Sequence, residues 1–407
     1  MKKIIGVLAL YATLGLFAAP FANVFELKAQ TTAPAAAAQG TCTDEAKSAW
    51  YADFTKFRTS NPTQAYEAAK KYLGACPTEE GQIPAYLKKW VVAYDKEARK
   101  IKMADLFVNQ RKYAEASAVA KEVLTDEPDN ILAHITQGYG GYVVAVTTKN
   151  ESGNADAITH AKKAIQLIES GKTLENWAPF KSKDDALGYL YYSVGFLQRA
   201  TNATEALNHF IKSAQFESDI KKNPQTYAFI AAAYENEYAK QSNDYQAKYA
   251  NKDETPESKL AVENINQIVD RVIDALARAV SVAGTDANAQ ASKTQWMGRL
   301  TELYKFRNKS EAGLNEMIAG VMSKPLPPVP TPITVLPTAP ATSTNPTSGT
   351  PNAGNGSAAA VPVNKPATVP GAASALTTTP KTTAATSTTG AKPKPKNNHV
   401  TPKPRRR

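Results

Sequence analysis

The chain has 407 residues, a formal net charge of +11, two cysteines and four histidines. Cys42 and Cys76 form no CxxC, and His134, His160, His209 and His399 are scattered, so the sequence offers no zinc-ligand set and implies no metal or cofactor. The basic balance does not describe the body of the protein: residues 30–324 carry 36 basic and 36 acidic groups, and the excess lies outside them, so the basic pI gives no support for a nucleic-acid-binding body.

Residues 1–29 have the pattern of a bacterial export signal. Lys2 and Lys3 precede an apolar run from Ile4 to Ala19, and small residues follow. Cleavage after Ala22 or Ala29 is expected. An uncleaved anchor is the alternative, although the run before Pro20 is short for a full span. Cys42 lies too far from the apolar run to act as a lipoprotein cysteine. Export places the chain in the periplasm or outside the cell, where two cysteines predict one disulfide; two buried free thiols are the other possibility.

Residues 30–40 (QTTAPAAAAQG) read as a linker, and 41–324 as an all-α domain. Between Ile83 and Val108 the apolar residues recur mostly every three or four positions, which predicts one long helix with Pro84 in its first turn. Turn signals follow at Asn61-Pro62, Glu127-Pro128-Asp129-Asn130, Ser152-Gly153-Asn154, Asn223-Pro224 and Thr255-Pro256. Six helix pairs are predicted, near 43–77, 84–126, 130–170, 182–218, 223–283 and 287–322. The helices at 84–109 and 223–251 are unusually long. Residues 325–407 hold 17 of the 26 prolines, nine basic residues, no acid and no aromatic, a composition that predicts disorder. Seven of those cations, Lys392, Lys394, Lys396, Lys403, Arg405, Arg406 and Arg407, cluster at the far end, on Lys-Pro repeats that favour an extended chain.

In "YAEASAVAKEVLTDEPDN", Ala116 is followed by Ala120 after four residues and by Pro128 after twelve. Ala65, Ala69 and Pro77 repeat both spacings, and Ala206 and Phe210 repeat the first. Tyr191-x2-Val194-Gly195 stands before Ala206, and Tyr227-x2-Ile230-Ala231-x2-Tyr234 opens the next unit. These residues resemble the tetratricopeptide repeat, W-x2-L-G-x2-Y then A-x3-F then P, in degenerate form and without a fixed period. The resemblance implies a right-handed α-solenoid of about six antiparallel helix pairs, in which small residues let paired helices approach and proline ends the second helix. It also implies a concave face lined by the second, fifth, ninth and twelfth repeat positions. Anchored on Gly138 these are Leu132, Ile135, Tyr139 and Tyr142; anchored on Gly195 they are Tyr189, Tyr192, Phe196 and Arg199. Such a surface suits a protein or peptide partner. The competing assignment buries these aromatics in the core, and Tyr189, Tyr191 and Tyr192 cannot all face one way. Within the first hairpin Cys42 precedes one helix and Cys76 follows its partner, so the crosslink would staple the terminal pair.

No pattern of catalytic residues is present. Asp184-Asp185 suits a helix start, and Gly138, Gly140 and Gly141 lack the strand and Lys-Ser/Thr of a phosphate loop. His134 and His209 carry no assigned role. The sequence therefore predicts a non-enzymatic, exported scaffold or adaptor that binds a protein or peptide and takes no small-molecule substrate. The alternative is an envelope-tethered protein whose basic tail binds a polyanion, whether anionic lipid, wall polymer or nucleic acid, with the helices as spacer. An accessory subunit or an enzyme of unfamiliar type is a third possibility.

Overall fold

The computed structural model describes residues 41–285 and 287–336. The signal-like segment and linker to Gly40, and the tail beyond Leu336 with its basic cluster from Lys392 to Arg407, lie outside the described residues. Among the described residues there are twelve α-helices and no strand. None of these helices is long and apolar enough to cross a membrane. By residue contacts the chain divides into two compact units, one ending at Tyr94 and one starting at Asp95.

In the first unit, α1 (Asp44–Phe57) and α2 (Pro62–Ala75) pack together, and α3 (Gln82–Ala104) begins. The chain enters each of the first two helices through a side-chain cap. Thr43 accepts from the Ala46 N–H at 3.2 Å, and Asn61 accepts from the Gln64 N–H at 3.2 Å, with Pro62 filling the first turn. Phe54, Ala65, Ala69 and Leu87 form the centre of a small core. Ala65 and Ala69 are fully buried, as the repeat spacing requires. Cys42 and Cys76 are disulfide-bonded with Cα atoms 5.3 Å apart, bringing together the start of α1 and the end of α2.

The second unit contains the rest of α3, a π turn at Asp105–Asn109, and the helices α4 (Tyr113–Asp126), α5 (Ile131–Thr148), α6 (Asn154–Glu169), α7 (Lys183–Gln198), α8 (Ala203–Ser213), α9 (Pro224–Tyr249), α10 (Pro256–Val282), α11 (Ala287–Asn308) and α12 (Leu314–Gly320). From α4 to α11 each helix packs on the next, and α5 also packs on α7. Four of the five turn signals of the sequence are side-chain caps, and the fifth, Ser152-Gly153-Asn154, starts α6 without one. Asn130 accepts from Ala133 N–H at 2.9 Å, Asn223 accepts from Gln225 N–H at 2.9 Å, and Thr255 with Ser258 closes a capping box around Pro256. The predicted helix 84–109 is α3 plus its π turn, and α9 is as long as expected.

Glycine sets the closest approaches in this unit. A Cβ on Gly138 would stand 2.6 Å from the Ala161 backbone, and one on Gly141 would stand 2.7 Å from the Ala157 side chain. These two positions let α5 seat directly on α6.

Residues 325–336, assigned to the tail from composition, lie along α10 together with Lys324. Arg278 Nη2 donates to the carbonyls of Lys324 (3.1 Å) and Pro325 (2.9 Å), and Arg271 Nε donates to Pro328 O at 2.8 Å. Asn264 exchanges two hydrogen bonds with the Ile333 backbone, at 2.8 and 3.1 Å. The boundary at Lys324 therefore falls before the last packed segment.

Candidate functional site: the aromatic face of α5 and α7

Asn130 caps α5, and Ser182 caps α7 by accepting from the Asp185 N–H at 3.1 Å. These caps fix where each helix starts, and the direct packing of α5 on α7 brings their aromatics together. Tyr139 lies 5.6 Å from Tyr189 between ring centroids, Tyr142 lies 6.1 Å from Tyr192 and 5.3 Å from Phe196, and all three pairs meet edge to face. The Arg199 guanidinium sits over the Phe196 ring at 3.6 Å and donates to the Phe196 carbonyl.

The eight predicted groove residues divide by depth. Tyr139, Tyr189, Phe196 and Arg199 are half-buried and reach the surface. Tyr142 and Tyr192 are buried, at 6% and 1% exposure, so they support the face and do not form it. Tyr192 meets Phe210 of α8 and Phe229 of α9, which seal it from solvent. Ile135 is 1% exposed and belongs to the core with Ile165 and Leu190. Leu132 lines a different, polar cleft with Asp129, Lys172 and Leu174.

Burial pushes the Tyr139 and Tyr142 phenols well up, and Tyr189 up to about 12, so all three stay protonated hydroxyls over the physiological range. Burial also lowers the Arg199 pKa, yet from an origin so high that the group stays charged. The nearby Glu151 carboxylate opposes that shift, although among the described residues Arg199 forms no ion pair.

Two contributors were not legible in the repeat register. Phe180, in the loop before α7, packs against Tyr139 at 5.2 Å and Tyr189 at 5.5 Å, and Tyr113, which opens α4, meets Tyr139 at 6.3 Å. Neither occupies a first-helix repeat position; only their aromatic character marked them.

His134, given no role from sequence, is a buried linker between α5 and α6. Its Nε2 donates to the Pro128 carbonyl at 2.9 Å, which leaves Nδ1 to accept from His160 Nδ1–H at 2.9 Å. Burial lowers the pKa of both rings, with Lys163 near His134 and Lys121 near His160 adding to the effect and Asp129 and Asp156 opposing it. The folded state thus holds fewer protons than the unfolded chain, and stability is lost as pH falls below the ordinary imidazole value of about 6.5. Between about pH 7.5 and 5.5 the melting temperature is expected to fall, with His209, also lowered by burial, adding to the same slope. The double variant His134→Gln/His160→Gln should show a shallower slope; an unchanged slope would show that the pair does not titrate in this way.

No protein-family model matches the chain, and neither the curated proteins nor the solved structures yield a match.

Proposed function

We propose that this chain is a non-catalytic, exported adaptor whose second unit is a TPR-like, right-handed solenoid of antiparallel helix pairs that binds a protein or peptide partner on the face of α5 and α7. The close glycine-alanine seams between α5 and α6 support that architecture, as does the packing of α5 on α7, the first helices of successive pairs. The Cys42–Cys76 disulfide supports export to an oxidising compartment.

The observation that carries the binding function is Arg199. A cation held over the half-buried Phe196, in no ion pair among the described residues and connected through Phe196 and Tyr142 to the ring cluster of Tyr139 and Tyr189, is a preformed anchor for a peptide that offers an acidic group next to apolar side chains. The test is a photo-crosslinking amino acid placed at Tyr189 or Phe196 in the native envelope, with Ile101, which is 64% exposed, as the control position. A discrete adduct at the two aromatic positions, reduced about tenfold by Arg199→Glu, is expected. No adduct above the Ile101 control would overturn the assignment.

The second function rests on charge. A neutral body followed by nine cations and no acid from residue 325 onward suits a tail that adheres to an anionic polymer or lipid. That adhesion should weaken steeply with salt, because exposed charges are screened beyond about 8 Å at physiological ionic strength. Adhesion that ignores salt would remove this role.

A further inference from the structure

The geometry points to a second peptide site, independent of the α5–α7 face: we propose that the side of α10 carrying Asn264, Arg271 and Arg278 is a receptor for extended proline-rich peptides, and that residues 324–336 are its resident ligand.

The three side chains are seven residues apart along one helix, so they rise on one side of α10 at intervals of about 10.5 Å. The segment they hold runs in the opposite direction, from Pro325 at Arg278 through Pro328 at Arg271 to Ile333 at Asn264. Three residues of polyproline II rise about 9.3 Å, which matches the first step of this ladder. From Pro327 onward the burial of the segment has the same period, after Leu326, which is also half-buried. Pro327, Pro330, Ile333 and Leu336 are half-buried, whereas Pro328, Val329, Thr331, Pro332, Thr334 and Val335 are exposed. A repeat of three is the signature of a threefold extended helix lying with one edge on a surface.

The chemistry explains why proline is preferred. A helix flank presents side chains, not a ladder of backbone acceptors, so an extended chain laid on it risks burying unpaired N–H groups. Proline has no N–H, and its carbonyls need only donors. Arg271 and Arg278 supply donors alone, and each bonds a carbonyl. Where the segment turns to isoleucine, the partner on α10 becomes asparagine, which both donates and accepts, and it satisfies the Ile333 N–H together with its carbonyl. The match is to backbone pattern more than to side-chain identity, so other segments with the same proline spacing qualify.

The site also extends past its resident. Beside Pro330 and Pro332 lies a cleft of about 360 Å³ lined by Tyr245, Tyr249, Ile265 and Ile268. The two tyrosine rings stand 5.3 Å apart, and flat aromatic walls of this kind receive proline rings in grooves that bind polyproline II.

A segment tethered to its own receptor acts at millimolar effective concentration, so a free peptide competes poorly against it. The test uses a fluorescent peptide with the sequence of residues 324–336 and the full-length chain. Weakening the resident by Leu326→Ser and Ile333→Ser should raise the affinity for the added peptide about tenfold over wild type. Adding Asn264→Ala and Arg271→Ala to that chain should abolish the gain, and a peptide with every proline changed to alanine should not bind. Absence of binding to the weakened chain, binding indifferent to Asn264 and Arg271, or equal binding of the alanine peptide would each overturn the proposal. The unmodified protein provides an independent measurement by hydrogen exchange. The Ile333 amide should be protected and should lose protection when excess peptide displaces the resident. A bound peptide that leaves Ile333 protected sits elsewhere and refutes the site.

Discussion

Gly138→Val is expected to cost about 3 kcal/mol and to lower the melting temperature by several degrees. The reason is distance. Even a single Cβ at this position would meet the Ala161 Cα and N at 2.6 Å, and backbone atoms in a neighbouring helix have no rotamer by which to move aside. Helix propensity alone gives the opposite sign for Gly138→Ala, since alanine is favoured over glycine by about 1 kcal/mol in a helix interior. The control is Gly298, exposed inside α11 with nothing within 4 Å of its would-be Cβ, where Gly298→Ala should stabilise by about 0.5–1 kcal/mol. Urea denaturation of the two variants should move the midpoint in opposite directions. A Gly138→Val chain as stable as wild type would mean that α5 and α6 do not approach through this residue.

Removing the disulfide is expected to be as damaging, but locally. Cys42 and Cys76 are 34 residues apart, and closing a loop of that size stabilises by about 3–4 kcal/mol if its effect is to restrict the unfolded chain. The unit to which it belongs has a small core, centred on Phe54, Ala65, Ala69 and Leu87, so little else compensates. In a Cys42→Ser/Cys76→Ser chain, hydrogen exchange should accelerate at amides of α1 and α2, while amides of α5 to α8 keep their protection. Uniform acceleration across both units, or no change in α1 and α2, would contradict this assignment.

The sequence carried the helix boundaries well because they are written in local chemistry. Asn61-Pro62, Asn130, Asn223-Pro224 and Thr255-Pro256 act over two or three residues, and each is a cap in the structure. The small residues Ala65, Ala69, Ala116, Ala120 and Ala206 are likewise buried where their spacing put them. The aromatic register brought Tyr139, Tyr142, Tyr189, Tyr192, Phe196 and Arg199 into one region but could not rank them by depth. Depth depends on what covers a residue from elsewhere, and Phe210 and Phe229, which cover Tyr192, lie in other helices. Residues 324–336 were illegible for the same reason on a larger scale. The average composition of residues 325–407 describes a chain with little apolar surface to bury, which hides Leu326, Ile333 and Leu336, and the anchors of the segment are side chains 46 to 69 residues earlier. The π turn that ends α3 also escaped detection, because its stabilising contacts, from Asn109 and Gln110 to the Asp105 carboxylate, follow no hydrophobic period.

The antiparallel run of residues 324–336 on α10 has a mechanical consequence. A pull on the chain beyond Leu336 does not first reach α12; it first loads Asn264, then Arg271, then Arg278. Drawn along the axis of α10 towards Pro256, the three anchors share the load in shear and resist together. Drawn away from the helix, they open one at a time from Asn264, and each release adds slack before tension arrives at the core residues Leu314 and Val321. The same short segment is stiff in one direction and yields stepwise in another, so the direction of tension decides whether the helical unit feels it.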